Sequence, residues 1–414
     1  MYFFRLIRQT YFMYSLRILL LLLLSLSQIA AQNPYKNYIL NNDMPQYKSL
    51  NSLSDYYKTH DFHSPLINRI DLRSESHEYK LNQQEYSLRF RFTSPKYNSY
   101  QNKLNLIEQE FINIEFRSIE NHATYLKYKS VLDFMESKEL NELHLKSNNL
   151  REKSLNNAKL RLDYTNKTNL ENYFEEDLNY QKSKRAQAET EFKLANLSKE
   201  IGIELSDTRD KDHRITVAFI KNALDTFKII NISIETDKLN STLQKIKIKL
   251  DQDKSEANKF LDFVQLKYQS DPENLLSKKL SAGISLRIPY LTMSKALEEN
   301  SKIKEFQTQF NLESDQNKKQ LKVNSIYVDI RNQIHAYELL QHSISVYTKT
   351  YDFDQMVNIG FTDTDLILKI MIQQTKYEME LKELEFKIFN RYIDFLYYTD
   401  QFYINPNRYY LSQS

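Results

Sequence analysis

The sequence predicts a mainly helical protein with a small β part, built from a doubled unit of β-hairpin and long coiled-coil helices. Three observations point there. First, the helix breakers are confined. All seven prolines (Pro34, Pro45, Pro65, Pro95, Pro272, Pro289, Pro406) lie outside 96–271 and 290–405, and the three glycines are Gly202, Gly283 and Gly360. Proline removes a helical donor and glycine costs backbone entropy, so a chain that avoids both over such lengths can form very long helices. Second, Pro95 and Pro289 each directly follow a short run of alternating residues, and each opens one of the long stretches. Third, local sequence recurs. Ser87-Leu88-Arg89-Phe90 matches Ser285-Leu286-Arg287-Ile288 at a separation of 198, and Thr168-Asn169-Leu170 matches Thr364-Asp365-Leu366 at 196. Two signals that repeat with so small a drift indicate an internal duplication.

Residues 1–31 read as an export signal. Arg5, Arg8 and Arg17 form a positive lead, Leu19 to Leu24 a short apolar run, and Ile29-Ala30-Ala31 a small-residue cleavage site before Gln32. The run is too short for a membrane span, and an anchor helix is the competing reading. Residues 32–65 are polar, hold three prolines and show no clear period, so they read as an irregular lead-in.

Repeat 1 occupies 66–203. Tyr86, Leu88, Phe90 and Phe92 alternate with Ser87, Arg89 and Arg91, and Ile70 and Leu72 alternate with Arg69, Asp71 and Arg73, which predicts a hairpin over 66–95. A helix over 97–164 follows. Leu104, Ile107, Phe111, Ile114, Val131, Phe134 and Leu143 largely keep three-and-four spacing along it. At 1.5 Å per residue that is roughly 100 Å, too long for a globular core helix. The turn Thr165-Asn166-Lys167-Thr168 leads to a helix over 169–201, with Thr168 as its N-cap and Gly202 as its C-cap. Residues 204–233 form a mixed connector with a short helix over Val217 to Phe227.

Repeat 2 occupies 234–401. A helix over 234–258 precedes a strand in which Val264, Leu266 and Tyr268 alternate with Gln265 and Lys267. After the turn Ser270-Asp271-Pro272, a second strand carries Leu280, Ala282, Ile284, Leu286 and Ile288 on one face and Ser281, Gly283, Ser285 and Arg287 on the other. A helix over 294–357, a turn at Asn358-Ile359-Gly360-Phe361 and a final helix to 401, capped by Thr362 or Thr364, complete the repeat. The tail 402–414 is aromatic and polar.

Composition excludes several functions. A formal charge of +3 over 414 residues gives no support to bulk nucleic-acid binding. With no cysteine there is no disulfide, thiolate metal site, cysteine nucleophile or lipid-modified N-terminal cysteine. No HExxH, Gly-rich phosphate loop or GxSxG is present, so the chain is not expected to be an enzyme and no cofactor is expected. His60 and His63 read as an exposed loop, and His335 and His342 as solvated helix positions. Glu175, Glu176 and Asp177 read as a solvated face.

The strands have one apolar and one charged face. That fits a soluble sheet over a core or a barrel wall between lipid and water. The order of elements decides more. The duplicated hairpin, long helix, tip turn and returning helix over 66–401 resemble the outer-membrane efflux proteins, the TolC-like channel-tunnels. Ala282-Gly283-Ile284-Ser285-Leu286-Arg287-Ile288-Pro289 resembles the family's second-repeat strand running into a proline, and Gly360 with Asp365-Leu366 its glycine turn and helix start. The segment 32–65 is short and irregular where the family has a long leading helix, and Asn166 stands where a glycine is usual. The resemblance implies a homotrimer whose chains each give four strands to a twelve-stranded outer-membrane barrel, continued by a periplasmic helical tube. Its tip turns would meet a periplasmic adaptor and an inner-membrane transporter. A periplasmic adaptor or an exported coiled-coil scaffold is the alternative. Adaptors need Gly-rich β-domains, and a scaffold has no need of amphipathic strands at equivalent points of two repeats.

Two regions are candidates for transport function. Arg69, Arg73, Arg89, Arg91 and Arg287 share the polar strand face. They bias passage toward anions if they face the lumen freely, or bias nothing if they pair with Asp71 or Glu75. At the tip, Ile359, Gly360 and Phe361 sit at one turn and Asn166 and Thr168 at the other, a surface suited to docking. Capping alone also explains Gly360. Asp363 and Asp365, with Asp352 and Asp354, crowd that end. They can gate or bind cations, or simply suit a helix N-terminus.

Overall fold

The computed structural model describes residues 34–40, 45–60, 65–76, 84–162, 167–203, 214–227, 234–269, 279–286, 291–351 and 363–412. In chain order they form α1 (Pro34–Leu40), α2 (Pro45–Thr59), β1 (Ile67–Ser76), β2 (Gln84–Phe92), α3 (Tyr97–Leu160), α4 (Lys167–Ile201) and α5 (Val217–Thr226). The second half continues with α6 (Ile234–Ala257), β3 (Leu261–Gln269), β4 (Lys279–Leu286), α7 (Leu291–Thr350), α8 (Thr364–Tyr398) and α9 (Gln401–Ile404). The series α2, β1, β2, α3, α4 recurs as α6, β3, β4, α7, α8. The return helices α4 and α8 both have 35 residues.

The described residues of the lead-in form two helices, where an irregular segment was expected. Pro34 and Pro45 are the first residues of α1 and α2. The first turn of a helix leaves its N–H groups unpaired in any case, so proline there starts a helix instead of breaking one. The tip caps also differ from expectation. α4 begins at Lys167, which puts Thr168 inside its first turn and not at the cap. At α8 neither neighbouring threonine is the cap. The Asp363 carboxylate accepts from the backbone N–H of Asp365 at 3.1 Å and of Leu366 at 3.3 Å. A carboxylate outdoes a hydroxyl there because its charge also meets the positive end of the helix dipole. Gly202 does close α4, at φ +71, with its N–H donating to the Ser198 carbonyl at 2.9 Å.

The chain divides into two compact units, and these are not the two sequence repeats. One comprises 1–42, 121–229 and 322–414, the other 43–120 and 230–321, so each draws on both repeats.

The first unit holds the hydrophobic core. Val131, Leu132 and Phe134 of α3, Ile220 and Leu224 of α5, Ile326, Ile330 and Ile334 of α7, and Phe386, Phe389 and Ile393 of α8 are buried together at three-and-four spacing. Tyr35 and Ile39 of α1 and Phe402, Tyr410 and Leu411 of the tail join them. The connector is tied to the tail by Ile215, whose N–H donates to the Leu411 carbonyl at 3.0 Å. The Tyr128 hydroxyl donates to the Arg408 carbonyl at 3.2 Å and accepts from the Tyr410 N–H at 2.9 Å. Burial raises its pKa. Arg214 pairs with Glu139 and, at 3.2 Å, with Glu385. Lys382 reaches the same two carboxylates at 3.1 and 2.7 Å. Four charges that satisfy one another in this way fix the connector against α3 and α8, because losing any one leaves a poorly solvated charge behind.

The second unit holds the sheet, with strand order β1-β2-β3-β4 and every neighbour antiparallel. Its hairpin base is fastened by Ser94, whose N–H donates to Glu256 Oε1 at 2.6 Å, and by Lys259, which donates to the Phe92 carbonyl at 2.8 Å. The register slips once in each hairpin. Ile67 opposes Phe92 but Arg69 opposes Arg91, and Leu261 opposes Leu286 but Phe263 opposes Ser285. Asn68 and Asp262 are the extra residues. Each slip turns the residue before it, Ile67 or Leu261, onto the apolar face that simple alternation would deny it. From 67 to 261 and from 92 to 286 the separation is 194, which is also that of Pro95 and Pro289. The local match of Ser87-Leu88 with Ser285-Leu286 is therefore displaced by four residues, an even number that leaves every face assignment intact. On this offset Arg287 aligns with Thr93 and not with Arg89.

Candidate functional site

Directly opposed residues of an antiparallel pair share a face, so the register sorts the sheet into two surfaces. One carries Ile70, Phe90, Val264 and Ile284 in one row, Leu72, Leu88, Leu266 and Ala282 in the next, then Ser74, Tyr86, Tyr268 and Leu280. The other carries Arg69, Arg91, Phe263 and Ser285, then Asp71, Arg89, Gln265 and Gly283, then Arg73, Ser87, Lys267 and Ser281. Across these six rows the segregation is broken only by Ser74 on the apolar face and Phe263 on the charged one. Ile70, Leu72, Tyr86, Leu266, Leu280 and Ile284 are exposed, so nothing among the described residues covers these positions of the apolar face.

On the charged face Asp71 accepts from Arg69 Nε at 2.5 Å and from Arg91 Nε at 3.0 Å. Lys267 pairs with Glu85 at 2.5 Å. Arg89 donates to Gln265 Oε1 at 3.4 Å and lies over the Phe263 ring, 4.1 Å from its centroid. Arg69, Arg73, Arg89 and Arg91 thus fall on one surface, as their alternation predicts, and Arg287 lies outside the described residues. Sequence reasoning placed Lys267 on the polar side of its strand without counting it among the charged candidates, and missed Glu85. The signal was the same period of two, read across the second hairpin as well as the first.

At the helix turns, Asn166, Ile359, Gly360 and Phe361 lie outside the described residues, as do Asp352 and Asp354. Thr168 is exposed on the first turn of α4. Asp363 is taken up by capping. Asp365 accepts from Asn157 Nδ2 at 3.2 Å and pairs with Arg161, which binds the start of α8 to the end of α3. Among the described residues no group of three or more His, Asp or Glu is placed to hold a metal ion. His60, His335 and His342 are exposed, while Glu176 is buried on α4 where a solvated face was expected.

A third feature was not read from the sequence. Among the described residues, the exposed large apolar side chains of the unbroken helix α7 are Phe306 and a series at Ile303, Phe310, Leu321, Val328, Leu339 and Val346. The spacings within the series are 7, 11, 7, 11 and 7. Seven and eleven together make 18 residues, about five turns at 3.6, a spacing that on an ideal helix returns to the same side. A search for three-and-four spacing passes over gaps of eleven. Among the described residues no helix is long and apolar enough to cross a membrane.

No protein-family model matches the chain, and no curated protein matches it. Solved structures do match in fold. The open state of the MtrE outer membrane channel of Neisseria gonorrhoeae aligns with a TM-score of 0.58 at 10% identity, covering 88% of this chain and 88% of that one. CusC, described in terms of transmembrane channel formation, aligns with a TM-score of 0.55 at 11% identity over 88% of this chain and 91% of that one. The outer membrane protein VceC of Vibrio cholerae aligns with a TM-score of 0.51 at 9% identity over 88% of this chain and 95% of that one.

Proposed function

We propose that this chain is the outer-membrane channel component of a tripartite export or efflux system, a passive conduit from the periplasm or an inner-membrane pump to the exterior. The observation that carries the reading is the apolar face of the sheet, which no described residue covers, backed by a mainly charged and polar one. A soluble sheet buries its apolar face on a core. A barrel wall leaves it bare in the single chain and covers it with lipid. The strands have 10, 9, 9 and 8 residues, close to the 9–11 that cross a bilayer at a tilt. The likeness in fold to an outer membrane channel in its open state supports the same reading.

The sheet ends on β1 and β4, whose outer edges pair with no strand among the described residues. Lipid offers such edges no hydrogen bonds, and four strands are too few to close a pore-sized barrel. Closure then comes from further copies, three in our reading, with β4 of one chain beside β1 of the next in a twelve-stranded barrel. The exposed apolar residues of α7 supply contacts for neighbouring copies along a helical tube. Arg69, Arg73, Arg89 and Arg91 line the water side of the wall, with Arg287. Asn166, Thr168, Ile359, Gly360, Phe361, Asp363 and Asp365 form the end that docks a periplasmic adaptor and its transporter, which supplies the energy.

Cell fractionation with an unboiled gel tests this. A heat-labile species of three chain masses in the outer-membrane fraction is expected. A soluble periplasmic monomer overturns the assignment.

A further inference from the structure

We infer that the water-facing wall of the barrel is fronted by cations and backed by acids, so that the conduit admits anionic solutes in preference to cationic ones. This rests on the conduit reading above, which makes the polar sheet face the lumen wall. Pairing and bias are usually treated as alternatives, but on this face both hold, because the two members of each ion pair lie at different depths. Asp71 is bound by Arg69 and Arg91. The Asp71 side chain is 11% exposed, against 68% for Arg69 and 38% for Arg91. In the second pair Glu85 is 15% exposed and Lys267 is 44%. Each of these carboxylates sits beneath its cation, and a solute on the polar side meets the guanidinium or ammonium first.

Arg89 adds a cation whose side-chain partners are a neutral amide and an aromatic ring. Arg73 adds another at an exposed position, and Glu75, also exposed, stands two residues further along β1, opposite Glu85. Among the residues of this surface whose side chains are described, five cations (Arg69, Arg73, Arg89, Arg91, Lys267) face three carboxylates (Asp71, Glu75, Glu85), an excess of +2. Rings of fixed charge set ion preference in pores, and such surfaces reach potentials of several kT. A potential of only about one kT enriches monovalent anions and depletes cations by a factor of e each, an anion-to-cation ratio of about 7. The preferred cargo class is therefore organic or inorganic anions.

The absence of cysteine makes the test direct. Ser281 is exposed on β4, directly opposite Lys267. Ser281→Cys gives one thiol on the polar face, and full-length protein in outer-membrane vesicles is reacted with 2-sulfonatoethyl and 2-(trimethylammonium)ethyl methanethiosulfonate. The expected result is an anionic-to-cationic rate ratio about 7-fold above that of a small free thiol. Adding Arg69→Gln with Lys267→Gln takes the cation from Glu85, leaves Asp71 only Arg91 and removes the excess of +2, so the ratio should fall to about 1. Arg69→Lys with Lys267→Arg should keep the parent ratio, which separates charge from misfolding. A ratio near 1, a cationic preference, or no response to the glutamines overturns the inference and leaves the conduit intact, because both charged reagents will have reached a wet face. If neither reagent reacts while a membrane-permeant maleimide does, the face is dry, and the conduit reading falls together with this inference.

Discussion

Leu72→Arg separates a lipid-facing wall from a soluble sheet. Leu72 stands in the middle of the apolar face, opposite Leu88, and is 74% exposed in the single chain. If that face meets water, an arginine there costs little, within about 0.5 kcal/mol for a surface substitution without special contacts. If it meets the bilayer near its midplane, the cost is about 2–4 kcal/mol per chain. At 1.4 kcal/mol per decade that is roughly 30- to 700-fold in the folding equilibrium of each copy. In a closed ring every copy carries the charge, so the penalty recurs at each subunit. The assay is a heat titration of membrane-extracted protein on an unboiled gel. Leu72→Val and Ser281→Arg serve as controls, the first keeping the apolar contact and the second adding the same charge to the polar face. Leu72→Arg should lose the assembled species while both controls keep it. An assembled Leu72→Arg protein with the parent's melting midpoint would refute the lipid-facing wall.

The remaining predictions concern the helical unit. Arg161→Ala removes the ion pair to Asp365, but the arginine is mostly exposed and Asn157 keeps its hold. The loss should be at most about 1 kcal/mol, seen as faster hydrogen exchange confined to the first turn of α8. Gly202→Ala meets no atom within 4 Å yet must adopt φ +71, so its cost of about 1–2 kcal/mol is purely conformational, and Gly202→Asn should lose less in urea titration. Glu136 is raised in pKa by burial, an effect that Lys193 offsets and that Asp133 and Glu383 reinforce. With the folded pKa above the unfolded one, its contribution to stability is complete below the unfolded pKa and is lost as pH rises through the folded pKa. Glu136→Gln should therefore raise the melting midpoint near pH 7.5 and leave it unchanged near pH 4; an equal effect at both would show that burial does not disfavour the charge.

Much of the architecture was legible because its signals are local and long-running. The avoidance of proline and glycine marks α3, α4, α7 and α8, and a period of two marks all four strands and their faces. The failures have physical causes. Pro34 and Pro45 read as breakers, but at a first helical position they start α1 and α2. Thr364 read as a cap because hydroxyls cap, but the Asp363 carboxylate beside it binds the same N–H groups with a full charge. The core of the first unit gathers residues from 34–40, 217–226 and 402–411, and no local pattern announces that the Tyr128 hydroxyl receives the Tyr410 N–H. On the charged face the sequence located the arginines but not the depth of their partners, since depth depends on neighbouring strands.

The slips at Asn68 and Asp262 say something about descent. A register slip at the same point of both hairpins, beside prolines separated by the same interval, is most economically inherited once and copied. The ancestral polypeptide was then a single ribbon and rod that already carried the defect. Fusing two such pieces end to end halves the number of chains needed to close a given ring, and it frees each half to diverge, as α2 at 15 residues and α6 at 24 have done.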